Sequence, residues 1–122
     1  MKSCCLFCSI IGDNKIQKVY EDDTNVIIKD IRPAADLHFL VLPRRHIRDI
    51  TTVDDAKILD SLLLTARAYL PNFDIMEDKN VGFHQPPFNS QHHLHMHIVA
   101  GRMNGRENRR ILNPGWADIN KA

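Results

Sequence analysis

Seven histidines stand in this chain of 122 residues, and those from His84 to His97 crowd a short stretch of it. The run Ser90-Gln91-His92-His93-Leu94-His95-Met96-His97-Ile98-Val99 alternates imidazole with apolar side chains. In an extended strand, successive side chains point to opposite faces. His93, His95 and His97 are therefore expected on one face, with neighbours roughly 6.5–7 Å apart, and Leu94, Met96 and Ile98 on the other, packed into a core. At neutral pH an imidazole is a nucleophile, a proton carrier or a metal ligand. Adjacent rings repel when all are protonated, so at least one stays neutral. A neutral ring held by a hydrogen bond at one nitrogen presents a lone pair at the other, which suits attack on phosphorus. A metal patch and a solvated, histidine-rich strand face are the competing readings.

A second set of candidates lies at the N-terminus. Cys5-x-x-Cys8 has zinc-knuckle spacing, and two sulfurs are half of a tetrahedral site, with histidine the natural donor of the remainder. The same two thiols also read as small apolar residues. Cys4 has no assigned task. An odd, clustered set of three cysteines is a poor disulfide framework and fits a reducing compartment.

These residues need elements to position them. Leu6, Phe7, Ile10 and Ile11 have helical spacing, ended by Gly12-Asp13-Asn14. Strands are expected over 18–21, 26–31 and 38–42, the last nearly continuous in apolar residues and so buried on both faces. The short connections favour an antiparallel meander. Asp30 at a strand end is either a turn cap or an acceptor for two ribose hydroxyls. Thr52 and Asp55 resemble a capping box, and Leu59, Leu62, Leu63, Ala66 and Leu70 continue as an amphipathic helix stopped by Pro71. A fourth strand, 80–84, leads through the proline loop Gln85–Ser90 to the histidine run. The expected fold is α+β, an antiparallel sheet of about five strands with one long and one short helix, in a single domain over residues 1–122. The net charge is +1 with histidine neutral, which offers no global argument for nucleic acid or membrane. No apolar run reaches the roughly 20 residues of a membrane span, and the N-terminus lacks a signal pattern. The location expected is the cytoplasm, with the nucleus also open.

His93-Leu94-His95-Met96-His97-Ile98-Val99 resembles the motif of the histidine triad superfamily. His38-Phe39-Leu40-Val41-Leu42-Pro43-Arg44-Arg45-His46-Ile47 is similar to another of its strands and turns. Glu21-Asp22-Asp23 through Asp30-Ile31-Arg32-Pro33 is similar to its ribose-binding strand. Within the superfamily, Gly82-Phe83-His84-Gln85-Pro86-Pro87-Phe88 resembles the third branch of the Hint nucleotide-binding proteins and aprataxin. Where many Hint relatives carry an asparagine, this chain has Gly82.

The resemblance implies a hydrolase of nucleoside 5′-phosphoramidates that works through a covalent nucleotidyl-histidine. It makes His95 the nucleophile, flanked by His93 and His97, with His38 as the fourth family histidine and Ser90 as a phosphate contact. The nucleotide would lie against Leu6, Phe7, Ile10, Ile28 and Ile31, with Asp30 on the ribose and Ser90 and His97 at the phosphate. No cofactor is required for this chemistry. A structural zinc on Cys5, Cys8, His46 and His93 is implied by some relatives. A purine nucleotide is the implied substrate and a homodimer the implied assembly. The alternatives are removal of AMP from adenylylated DNA ends, as in aprataxin, dinucleoside polyphosphate hydrolysis, and a scaffold that binds nucleotide or zinc without turnover. With no Cys or His after His97, a zinc finger of the aprataxin type is not expected, and neither is nucleic acid as a partner. Arg102, Arg106, Arg109, Arg110 and Trp116 read as a solvated tail or as a flap near the phosphate.

Overall fold

The computed structural model describes residues 6–31, 33, 35–47, 56–76, 79–84, 93–103 and 116–118. The β-branched run Val26-Ile27-Ile28 and the apolar stretch His38–Leu42 form neighbouring strands of one antiparallel sheet. Its strands are β1 (Tyr20–Glu21), β2 (Asn25–Lys29), β3 (Ala35–Pro43), β4 (Asn80–His84), β5 (Met96–Met103) and β6 (Trp116–Asp118), in spatial order β1-β2-β3-β5-β4-β6. The first three strands are the expected meander. The histidine strand β5 then inserts between β3 and β4, and the three-residue β6 joins the five expected strands along the outer side of β4.

Alternation sorts the side chains into two layers. Ile27, Phe39, Val41, Val81, Phe83, Met96 and Ile98 pack beneath the long helix α2 (Ala56–Tyr69), which adds Leu62 and Ala66. On the opposite face Val26, Ile28, Leu40 and Leu42 meet Phe7 of the short helix α1 (Leu6–Gly12), with Ile10 and Ile11 packed around them. β3 is buried on both faces from His38 to Pro43, as its sequence predicts. Pro71 follows the end of α2, and a short 3-10 turn, Phe73–Ile75, places buried Phe73 under the same core. The proposed capping residues Thr52 and Asp55 lie outside the described residues.

A β-bulge between Ala35 and Leu37 shifts the β3–β5 register. Opposite it, Gly101 has φ +87°, and a Cβ there would come 2.9 Å from the Asp36 Cβ. Glycine is the residue that fits this left-handed conformation and close approach. Asp36 Oδ2 accepts from the Arg102 amide at 2.9 Å, which closes the irregular corner.

Candidate active site

β5 begins at Met96, so His97 is the member of the triad inside the ladder, opposite Leu40. His93 and His95 belong to the segment leading into the strand. The rings nevertheless gather on the α1 side of the sheet. His95 and His97 have centroids 5.0 Å apart, and Phe7 lies 5.0 Å from His95 and 6.0 Å from His93. His93 and His97 are buried whereas His95 is half-buried, which leaves the middle ring open to a reagent. Its protonation is set locally. His95 Nδ1 stands 2.8 Å from the backbone carbonyl of His93. A carbonyl oxygen only accepts, so Nδ1 carries the proton and Nε2 keeps the lone pair.

Behind His95 lies a second group. His38 Nε2 is 2.9 Å from His97 Nδ1 and 3.3 Å from Asp30 Oδ2. The His38 side chain is fully buried and that of Asp30 nearly so. The carboxylate, close to two imidazoles away from bulk water, stabilises positive charge appearing on either ring. β3 and β5 place His38 and His97 on one face because the pleat repeats every two residues.

The third cluster joins α1 to the turn after β3. Cys8 Sγ lies 3.3 Å from His46 Nδ1 and 3.4 Å from His93 Nδ1, and the two Nδ1 atoms are 3.2 Å apart. His93 Nε2 donates to the Pro43 carbonyl at 2.9 Å, which turns the Nδ1 lone pair toward Cys8 and His46. Burial pushes the His93 pKa down. The Pro43 hydrogen bond opposes that shift and the nearby His46 charge adds to it, and the net result is a pKa below the usual 6.5. Three lone-pair donors crowded this closely repel unless a proton or a cation lies between them. Tetrahedral zinc with Zn–N near 2.0–2.1 Å and Zn–S near 2.3 Å requires donor separations of about 3.3–3.6 Å. The observed spacing fits such an ion, as does the hydrogen bond to the Pro43 carbonyl that orients His93.

Of the remaining expected site residues, Ile28 is buried beside Phe7 in the α1 layer, Ile10 packs against that layer, and Leu6 is half exposed. Ile31 is 93% exposed, so within this chain it forms no part of a closed apolar wall. Ser90 and Cys5 lie outside the described residues. Gly82 is paired with His97 across β4 and β5. A cavity of about 390 Å³, lined in part by Asn25, Arg44, Arg45, Lys57 and Ser61, opens beside α2 and contains none of the triad histidines. The backbone carbonyls of Pro43 and Ile47, which hold His93 and the Leu94 amide, carry no signal in the sequence. Any residue type supplies the same carbonyl.

Residues 4–112 match the family described as the scavenger mRNA decapping enzyme C-term binding region. Adenosine 5′-monophosphoramidase HINT3 of Xenopus tropicalis is 34% identical over 102 residues, 79% of this chain and 67% of that protein. The bifunctional adenosine 5′-phosphosulfate phosphorylase/adenylylsulfatase HINT4 of Arabidopsis thaliana is 35% identical over 101 residues, covering 79% and 69% respectively. The chain thus spans about two thirds of the length of these relatives. Among solved structures, a histidine triad protein from Clostridium difficile superposes with a TM-score of 0.70 at 26% identity, covering 85% of this chain and 96% of that one. A HIT family hydrolase from Clostridium thermocellum gives 0.69 at 27% identity, covering 83% and 93%. With the triad, its fourth histidine and its strand order all in place, the chain belongs to the histidine triad superfamily.

Proposed function

We propose that this chain hydrolyses adenosine 5′-phosphoramidates through a nucleotidyl-histidine formed on His95. The observation that carries this reading is the His95 Nδ1–H donated to the His93 carbonyl at 2.8 Å, which leaves Nε2 as the attacking atom on the most open ring of the triad. Similarity to relatives named adenosine 5′-monophosphoramidase supports the same chemistry. Nε2 bonds to the α-phosphorus as the phosphorus–nitrogen bond to the amine breaks, and the departing amine takes a proton. His97, linked to His38 and Asp30, is the proton carrier within reach. Water then attacks the phosphorus, the bond to His95 breaks, and AMP leaves. Ser90 assists at the phosphate and Asp30 at the ribose, while Phe7, Ile10 and Ile28, with Leu6 and Ile31 at the rim, face the base.

The Cys8–His46–His93 cluster, with Cys5, holds a structural zinc that ties α1 to the turn after β3. The chain forms one domain over residues 1–122 and pairs as a homodimer, for which the outward-facing Leu64 of α2, 65% exposed, offers an apolar contact. The clustered cysteines support a reducing compartment, the cytoplasm or nucleus, and no helix among the described residues is long and apolar enough to cross a membrane.

The test is a panel of substrates: an AMP-amine phosphoramidate, adenosine 5′-phosphosulfate, a dinucleoside polyphosphate and 5′-adenylylated DNA. Turnover of the phosphoramidate, lost by about a thousandfold or more in His95→Ala with AMP binding retained, is the expected result. Full activity in that variant overturns the nucleophile assignment. Binding of AMP by the wild-type protein without any turnover favours a scaffold.

A further inference from the structure

His93 belongs to two clusters at once. Its ring nitrogen Nδ1 faces Cys8 and His46 at 3.4 and 3.2 Å, and its backbone carbonyl accepts the proton that fixes the tautomer of His95. Residues 93–95 precede β5, whose pairing with β3 starts at Met96 opposite Val41. The sheet ladder therefore does not hold the carbonyl that aims the nucleophile. Three contacts from residues 43–47 hold it instead: Pro43 O accepts from His93 Nε2 at 2.9 Å, the Ile47 carbonyl accepts from the Leu94 amide, and the ring of His46 lies against that of His93 with centroids 5.0 Å apart. Phe7, one residue before Cys8, contacts both His93 and His95.

We propose that Cys8 and His46 are positioning residues for His95, so that filling their cluster with a divalent metal orders His93 and thereby the nucleophile. This rests on the proposed reaction for its kinetic consequence, but its structural content stands apart from that reaction. Neither residue need touch the substrate. Each acts by clamping the ring of His93, and the clamp extends over two residues of backbone to His95 Nδ1. Outer contacts of this kind typically change affinity or activity by about 10–100-fold when removed. Linkage requires reciprocity: if zinc raises the affinity for AMP by some factor, AMP raises the affinity for zinc by the same factor.

The experiment uses the full chain, loaded with zinc or stripped by a chelator, and the variants Cys8→Ser and His46→Ala. Zinc affinity is measured by chelator competition with and without AMP, and the His95 ring is followed by 15N imidazole NMR. Turnover of the phosphoramidate is measured in parallel. The expected outcome is that stripping zinc, or either variant, lowers kcat about tenfold, and that stripping weakens AMP binding by the factor by which AMP tightens zinc binding. The His95 Nδ1–H signal broadens or shifts, zinc restores it in the wild-type protein, and AMP tightens zinc binding. A merely structural cluster would move thermal stability and leave the His95 spectrum and kcat of the folded protein unchanged, and that result overturns the proposal. So does a wild-type protein that takes up no zinc. A variant that does not fold is replaced by reversible stripping and reloading of the wild-type protein, which reads the same signals. If the phosphoramidate is not hydrolysed at all, the proposed reaction fails, while the His95 spectrum and the zinc–AMP linkage still decide this inference.

Discussion

Asp30, His38 and His97 form the part of the site where one atom serves two neighbours. His38 Nε2 is within hydrogen-bonding reach of both His97 Nδ1 and Asp30 Oδ2, so removing either neighbour changes where the proton sits. His38→Ala should lower kcat by about a hundredfold with little change in KM, since His38 is buried and acts through His97 in the proposed reaction. Asp30→Asn should raise KM as well, because the same carboxylate is proposed to bind the ribose. Steady-state kinetics on an AMP-amine substrate separates the two. Equal KM effects in both variants would contradict the ribose role. At this scale the sequence revealed the residue types and the alternation within the histidine run, and the family resemblance added His38 as its partner. It placed Asp30 at a strand end without revealing that its carboxylate meets His38. That contact depends on the register between β2, β3 and β5, which spacing along one strand does not specify.

At the scale of elements, α2 is fixed to the sheet by a polar node as well as by its apolar face. Asn25 is 2% exposed, and its Nδ2 donates to the Ser61 carbonyl, Ser61 Oγ and Thr65 Oγ1. Thr65 Oγ1 in turn donates to Asp22 Oδ2 at 2.7 Å, and Asp22 Oδ1 accepts from the Thr24 and Asn25 amides. Thr65→Val keeps the shape and deletes the hydroxyl, leaving Asp22 and Asn25 each short of a partner. A loss of about 1–3 kcal/mol is expected, read by urea unfolding. Burial pushes the Asp22 pKa up, but hydrogen bonds from Thr65, Asn25 and Thr24 together outweigh it and hold the carboxyl below its usual 3.8. The unfolded chain protonates first as pH falls, so the contribution is complete above 3.8 and is lost below it, through the native pKa. The melting-temperature gap between wild type and Asp22→Asn should be constant near neutral pH and close in that acid window. The apolar periodicity of α2 was legible in the sequence. The node was not, because Asp22, Asn25 and Thr65 are ordinary turn, strand and helix residues until the fold brings them together.

For the whole molecule, one sheet separates two tasks. α2 covers the face that carries most of the apolar core, and α1 covers the face that carries the histidines. A metal on Cys8, His46 and His93 would cross-link α1, the β3 turn and the approach to β5. At zinc a hundredfold above its dissociation constant the native state should gain about 2.7 kcal/mol. Calorimetry with and without chelator would show a melting temperature several degrees lower in the stripped protein, and no difference would remove the cross-link. If the proposed homodimer forms through α2, Leu64→Arg should shift its sedimentation to that of a monomer. By itself the sequence determined the strand and helix types, the core side of each amphipathic segment and the histidine face, because these follow from local periodicity and side-chain chemistry, while the superfamily came from the resemblance of its motifs. The insertion of β5 between β3 and β4, the added strand β6 and the start of the histidine strand at Met96 were decided only by the tertiary structure, which also brings together Cys8, His46 and His93, the set that the resemblance implied. They depend on which distant backbones pair and on carbonyls that every residue shares, and no side-chain pattern encodes either.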